Sequence, residues 1–278
     1  FRSMMNVMFI EFHITRKKLH DEGNVLDEEH FPFFLHNFFN KLNSIIINSG
    51  RLVICWEGER SLEWRRSIYP EYKRNRDENK DEDEFKVLFN NLDVVKEALQ
   101  YYPVKQISHS MAEADDVIYA LSKEYSGDDI VIISSDKDLT QILNYQDNVV
   151  IYDPIRRKTQ KANNNILMEK AIIGDSSDGI GGLYRVGVKT LEKMLNDRTE
   201  WNKIMSKGSN KQIYENLLKI IDLREFPEEI HQEIIDKEKQ IDYNDFQPDE
   251  IELFYWDHKL PNLIGRWQQI KEDIRSMV

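Results

Sequence analysis

The sequence predicts an α/β fold: a mainly parallel sheet flanked by helices, followed by a C-terminal helical subdomain. Two observations predict it. Short apolar runs of strand length alternate with segments of helical period through the first half of the chain, and after Gly174 the strand-like runs give way to short amphipathic segments separated by Gly, Asn and Pro. Strands joined through helices run mainly parallel, because a helical crossover carries the chain back to the end of the sheet at which the previous strand began.

The elements are expected in this order. Residues 6–11 form a first strand. Residues 28–48, aromatic-rich and apolar on more than one face, form a buried helix, and Leu52–Trp56 forms a second strand. In residues 84–101, Phe85, Leu88, Leu92, Val95 and Leu99 recur at helical spacing until Pro103 stops the run. Residues 104–107 form a third strand, 112–125 a helix, 129–134 a fourth strand, 139–143 a short helix and 149–152 a fifth strand. The division into domains is expected at 4–174 and 175–278. Phe1, Arg2 and Ser3 precede Met4 and Met5, and one of these methionines is expected as the natural start.

Composition narrows the function classes. With 278 residues and 40% hydrophobic content the chain can bury a sizeable core. No apolar run is long enough for a membrane helix, so a soluble, cytoplasmic protein without a membrane partner is expected, as a monomer. The single cysteine, Cys55, sits in an apolar run and reads as a buried structural thiol. The formal net charge of −12 argues against a nucleic-acid partner, but its distribution argues for one. Arg60, Arg65, Arg66, Lys73, Arg74 and Arg76 face only Glu63 and Glu71 between residues 60 and 76. A charged tract at 77–84 follows directly.

In an open parallel sheet, ligands bind beyond the carboxyl ends of the strands. Acids stand there. Glu11 closes the first expected strand and Glu57 follows the second; Glu113, Asp115 and Asp116 open the helix after the third; Asp136 and Asp138 follow the fourth; Asp175 and Asp178 lie where the helical part begins. Carboxylates this close need a counter-charge, and an all-oxygen donor set without His or Cys favours two Mg²⁺ or Mn²⁺ ions. Such a pair suits phosphodiester hydrolysis. Each acid also has a plainer reading: Ser110 to Glu113 fits a capping box, Asp136 and Asp138 suit a helix N-terminus, Glu57 a solvated strand end, and residues 174–179 a surface turn. Their joint placement is what the plainer readings explain poorly.

Four blocks then resemble one family. Glu113, Ala114, Asp115 and Asp116; the run from Ser134 through Asp136 and Asp138 to Gln141; and Ile173 to Asp178 with the glycine-rich stretch behind it are similar to the signature of the structure-specific 5′ nucleases. These include flap endonucleases, the 5′-nuclease domain of bacterial DNA polymerase I and bacteriophage 5′ exonucleases. Trp64 to Arg76 resembles their arch base. The Trp64, Arg65, Arg66 run, the strand end from Ile132 to Asp136 and the tail near Lys259, Leu260 and Pro261 resemble the T-even phage ribonuclease H branch.

The resemblance implies a PIN-like core with an arch near 60–84, a helix–three-turn–helix in the helical part, and cleavage of 5′ flaps, nicks or RNA–DNA primer ends. It implies one metal site at Glu11, Glu57, Glu113, Asp115 and Asp116, and a second at Asp136, Asp138, Asp175 and Asp178. Lys73, Arg76 and Asp136 are the expected catalytic residues. Arg65, Arg66, Tyr69, Tyr72, Lys73 and Arg76 are expected to handle a DNA strand, with Tyr69 and Tyr72 offering rings to stack on a base. Gly179, Gly181, Gly187 and Lys189 are expected to hold duplex phosphates, with a bound K⁺. The expected partners are branched or 5′-ended DNA or an RNA–DNA hybrid, and phage replication proteins in an infected bacterial host. Two positions depart from the family: Glu11 and Glu57 stand where Asp is usual. They motivate a second reading, a DNA-junction-binding protein impaired in catalysis. A PIN-type ribonuclease outside replication is a third.

Overall fold

The structure, a computed structural model, describes residues 2–5 in backbone, and 18–49, 52–75, 86–87 and 90–277. Six strands are found among the described residues: β1 (Arg2–Met5), β2 (Leu52–Trp56), β3 (Val104–Ser108), β4 (Ile130–Ile133), β5 (Val149–Asp153) and β6 (Lys158–Thr159). They form one sheet in the order β3-β2-β1-β4-β5-β6. Every pairing is parallel except β5 with β6, which is antiparallel.

The central strands are apolar throughout because both of their faces are covered. In β2, Leu52 and Ile54 enter one hydrophobic cluster, while Val53 and Cys55 enter the cluster on the opposite face. Cys55 is buried and burial raises its thiol pKa, which agrees with a structural role. In β5 the burial alternates, with Val149 and Ile151 inside and Val150 and Tyr152 exposed, so one face of that strand is open.

The first face is built on α1 (Phe31–Ser49). Phe31, Phe34 and Phe38 stack along it, and Phe39 lies 5.8 Å from the ring of Tyr102. Next come α2 (Glu63–Ile68), α3 (Leu92–Ala98) with a 3-10 turn at Leu99–Tyr101, and α4 (Ala114–Glu124). A 3-10 segment, Asp138–Asn144, follows β4. Beyond β6 lie α5 (Ile166–Ile173), a 3-10 turn at Ser176–Asp178, α6 (Val188–Asn196), α7 (Arg198–Met205) and α8 (Asn210–Ile221). The chain continues through a 3-10 turn at Leu223–Glu225, α9 (Glu228–Gln240), α10 (Pro248–Asp257), α11 (Pro261–Ile264) and α12 (Trp267–Met277).

Several expectations are corrected. The first described strand is Arg2–Met5, and the strand expected at 6–11 lies outside the described residues. In the helix expected over 84–101, residues 86, 87 and 90 are helical ahead of Leu92–Ala98, the last residues form the 3-10 turn, and Phe85 and Leu88 lie outside the described residues. The expected short helix at 139–143 is 3-10. Strand β6, two exposed residues with no apolar pattern, has no counterpart in the sequence reading.

The helices after residue 174 do not share one core. Helix α9 packs through Ile234 and Ile235 into the cluster of Val53 and Ile132, and α10 to α12 pack through Ile251, Tyr255, Leu263 and Trp267 onto α1. Only α5 to α8 build separate small clusters, around Ile172, Leu191 and Met194 and around Ala171, Leu217 and Ile220.

Candidate active site

The acids gather where the carboxyl ends of the strands meet α4 and α5. After β4 the chain turns sharply, and its own side chains hold the turn. The Asp136 amide donates to Ser134 Oγ at 3.1 Å, and the Asp138 amide donates to Asp136 Oδ1 at 2.8 Å. Gln160, just past β6, donates from Nε2 to the carbonyls of Ser134 and Asp136 at 2.9 and 3.1 Å. Opposite, Asp175 Oδ1 accepts from the Ser177 amide at 2.9 Å, which turns the chain so that Asp178 faces Asp138. Asp138, Asp175 and Asp178 each offer an oxygen, and these oxygens lie within 4.8 Å of one another. The donors are all hard oxygens, close enough to share one cation.

Lys170, in the last turn of α5, reaches this group. Its ammonium donates to Asp138 Oδ2, lies 3.0 Å from Asp175 Oδ2, and donates to Asp178 Oδ2 at 2.8 Å. Burial alone would lower the lysine pKa, but Asp138 and Asp178 outweigh it and raise it. Asp138 is held at about 6: burial raises it, Lys170 opposes this, and Asp136 adds to it. Asp175 falls to about 2, since its bonds from Ser177 and Lys170 outweigh burial.

A second assembly joins the basic segment to α4. Glu113 is the N-cap of α4 and Asp116 its N3 partner, with the Glu113 amide donating to Asp116 Oδ2 at 2.9 Å. The capping box therefore starts at Glu113, three residues later than the sequence suggests. Arg65 is 3% exposed and donates through both terminal nitrogens to Asp116, at 2.7 and 2.6 Å. Its Nη1 also lies 2.9 Å from Glu113 Oε2, and its Nε donates to the Ile220 carbonyl at 2.8 Å. Tyr72 donates its hydroxyl to Glu113 at 3.0 Å, and Lys73 donates to the other Glu113 oxygen. The Lys73 ammonium also lies 3.9 Å from Asp178 Oδ1, which links the two assemblies. Burial pushes Glu113 up, but Lys73 and Arg65 bring it down to about 2. Asp115 stands well above the ordinary range, through burial first and then the negative charge of Asp136.

The geometry sorts the expected residues. Glu113, Asp115, Asp136, Asp138, Asp175 and Asp178 form one electrostatically connected set with Lys73. Asp116 is fully buried, and Arg65 and the Glu113 amide take its oxygens. Glu57 is exposed, accepts from Ser61 Oγ at 3.1 Å, and stands apart from the three-acid group. Glu11 and Arg76 lie outside the described residues.

Among the expected DNA-handling residues, Arg65 and Tyr72 are buried and bonded within the protein. Arg66 ties down its own loop, donating to the carbonyls of Tyr72 and Lys73 at 2.9 and 3.2 Å. Lys73 is not in a helix: its φ is 52°, and its amide donates to the Asp178 carbonyl at 2.8 Å. Gly179 takes up backbone, since a Cβ there would fall 2.6 Å from the Glu71 carbonyl oxygen. Tyr69 is half-buried with its hydroxyl 3.5 Å from the Gly179 carbonyl, whereas Gly181, Gly187 and Lys189 are exposed around the start of α6.

Two residues escaped the sequence reading. Lys170 reads as an ordinary helix-end cation, and only its place five residues before Asp175 hints at more. Gln160 gives no signal.

Residues 5–173 match the family described as 5′-3′ exonuclease, N-terminal resolvase-like domain. The 5′-3′ exonuclease of Mycoplasmopsis pulmonis is 29% identical over 64% of this chain and 62% of its own length. The ribonuclease H of enterobacteria phage T4 is 28% identical over 71% of this chain and 72% of its own. The DNA polymerase I of Caldicellulosiruptor bescii is 32% identical over 58% of this chain, which spans only 19% of that enzyme. Two solved structures share the fold. The T5 5′-exonuclease with bound divalent zinc covers 98% of both chains with a TM-score of 0.53 and 17% identity. The catalytic core of Rad2 in complex with DNA substrate covers 100% of this chain and 92% of its own, with a TM-score of 0.53 and 14% identity. The observed sheet with its flanking helices is thus the PIN-like arrangement expected, and the chain belongs to the 5′-3′ exonuclease family through its N-terminal resolvase-like domain.

Proposed function

We propose that the chain is a divalent-metal-dependent 5′ nuclease that hydrolyses phosphodiesters at DNA flaps, nicks or RNA–DNA primer ends during replication or repair. One observation carries the reading: Asp138, Asp175 and Asp178 gather their oxygens within 4.8 Å at the carboxyl end of the sheet, next to the lysine of a basic segment. When bound, Mg²⁺ or Mn²⁺ ions supply Lewis-acid activation of a water and neutralise charge on the leaving oxygen. Asp138, Asp175 and Asp178 would hold one ion, with Asp136 beside them; Glu113 and Asp115 border the other.

The remaining steps fall to the protein's own groups. Lys73, placed between Glu113 and Asp178, would neutralise charge developing on the scissile phosphate. Asp136 orients Asp138 through the amide bond within the turn. Gly181, Gly187 and Lys189, exposed at the start of α6, would meet duplex phosphates, with K⁺ as a further ligand of that loop. Residues 4–174 would then form the nuclease core, with the arch near 60–84. Of the 175–278 part, the segment through α8 would face DNA, because α9 to α12 are packed on the sheet and α1. T5 exonuclease binds divalent ions and Rad2 binds a DNA substrate, which supports a metal-dependent enzyme of branched or 5′-ended DNA. Phage replication proteins are the proposed partners of a monomer.

Incubating the protein with a labelled 5′-flap substrate in Mg²⁺ and in Mn²⁺ tests the reading. Cleavage near the junction that EDTA abolishes is expected. A substrate that is bound but left intact in both metals sinks it.

A second reading, a junction-binding protein impaired in catalysis, is motivated by Glu57, which stands where the resembled family usually has Asp. Glu57→Asp discriminates: a large gain in rate supports impairment, and an unchanged rate removes it.

A further inference from the structure

Three carboxylates that share one small volume repel one another strongly unless a cation sits among them. In this protein a cation already does. The ammonium of Lys170 reaches oxygens of Asp138, Asp175 and Asp178 together, and its side chain is only 11% exposed. The oxygens it holds on Asp175 and Asp178, at 3.0 and 2.8 Å, belong to the same triad that could grip a metal ion. Oxygen ligands approach Mg²⁺ at about 2.1 Å, so an ion among these three residues and the ammonium would claim one space. Lys170 lies in the last turn of α5, where the carbonyl ends of the helix also favour a positive charge. Its four-carbon stem is flexible, so the ammonium can leave without moving the helix.

We propose that Lys170 is a positioning residue that serves as the resident counter-cation of the Asp138, Asp175 and Asp178 group. A divalent ion fills this group only by displacing the ammonium, and Lys170 thereby sets the metal concentration at which the group becomes loaded. The inference rests on the metal-dependent reading above. It adds a device to it: the acids stay neutralised when metal is scarce, and the fold does not depend on metal to hold them together.

The test needs no DNA and no activity. The full chain and its Lys170→Met variant, both stripped with EDTA, are titrated with Mn²⁺ by calorimetry. Mn²⁺ is expected to bind the variant about tenfold tighter or more, because the competing charge is gone. The metal-free variant is expected to melt below the wild type and to regain the difference as Mn²⁺ is added. Equal or weaker Mn²⁺ binding by a folded variant overturns the role of Lys170 alone. Absence of Mn²⁺ binding in both proteins overturns the metal-dependent reading and this inference with it. A second measurement covers the case in which Lys170→Met does not fold. In the wild type with ¹³C-methylated lysines, the Lys170 signal, assigned through Lys170→Arg, is expected to move as diamagnetic Mg²⁺ binds; Mg²⁺ binding that leaves it unmoved overturns the inference.

Discussion

Lys73 and Arg65 lie eight positions apart in one basic segment and do different work. Arg65 is enclosed, bidentate to Asp116, and set against the Trp64 ring at 4.2 Å. Removing it leaves Asp116 buried without its counter-charge and Glu113 with Lys73 alone, so Arg65→Met is expected to lower unfolding free energy by about 3–5 kcal/mol in urea titrations. Lys73 is also largely covered, its side chain 13% exposed, but Arg65 remains on Glu113 if it is lost. Lys73→Ala is therefore expected to keep the fold, checked by circular dichroism, while single-turnover flap cleavage falls about 100-fold or more. The sequence alone could not separate these two residues. Charge runs announce a basic segment, but which cation turns inward depends on Asp116 being directly beneath α2, a tertiary fact.

At the scale of elements, the loop after α2 is docked on the turn that carries Asp175 and Asp178. The Lys73 amide donates to the Asp178 carbonyl, and Asn75 Nδ2 donates to the Ser176 carbonyl at 2.9 Å. Gly179 makes the docking possible, with a φ of 68° and the Glu71 carbonyl where a side chain would begin. Gly179→Ala is expected to lower stability by about 1–3 kcal/mol and to loosen Lys73 from Asp178. Gly127→Ala, with nothing within 4 Å of the new Cβ, is expected to stay within about 0.5 kcal/mol in the same urea titration.

Much of this level was legible. Leu52–Trp56 is predicted residue for residue, because a strand buried on both faces is an uninterrupted apolar run. Helix α1 and strands β3 to β5 deviate only at their ends. Strand β6 was not legible, since two polar residues at an edge carry no pattern, and the Glu113 cap was misplaced because Ser110 satisfies the same spacing rule. The acids of the site were readable as types at strand ends, yet not as a network, because Lys170 and Gln160 come from α5 and from beyond β6.

For the molecule as a whole, the metal-free acids set the pH response. Folded Asp138 keeps its proton to about 6 against an ordinary 3.8, so the folded state holds more protons between those values and stability falls as pH rises through them. Glu113 and Asp175 act the other way. Their folded values of about 2, against ordinary values of 4.5 and 3.8, give stability that is present above the ordinary values and lost as pH falls toward 2. The net charge of −12 reinforces the decline at higher pH. Thermal melts in EDTA are expected to show greatest stability at about pH 4 to 5, and Mn²⁺ is expected to move that maximum upward. A metal-free protein whose stability climbs steadily to neutral pH would contradict the balance of charges described.

Cys55 has a practical consequence. It is the chain's one cysteine, it lies within β2 at 1% exposure, and burial holds it in the thiol form. Thiol-directed dyes and spin labels react through the exposed thiolate, so the unaltered protein is a silent background for them. Cysteines introduced together at Asn75 and at Tyr184, which is 78% exposed, would carry the reporters, and the distance between the docked loop and the α6 approach could be followed in solution as metal or DNA is added.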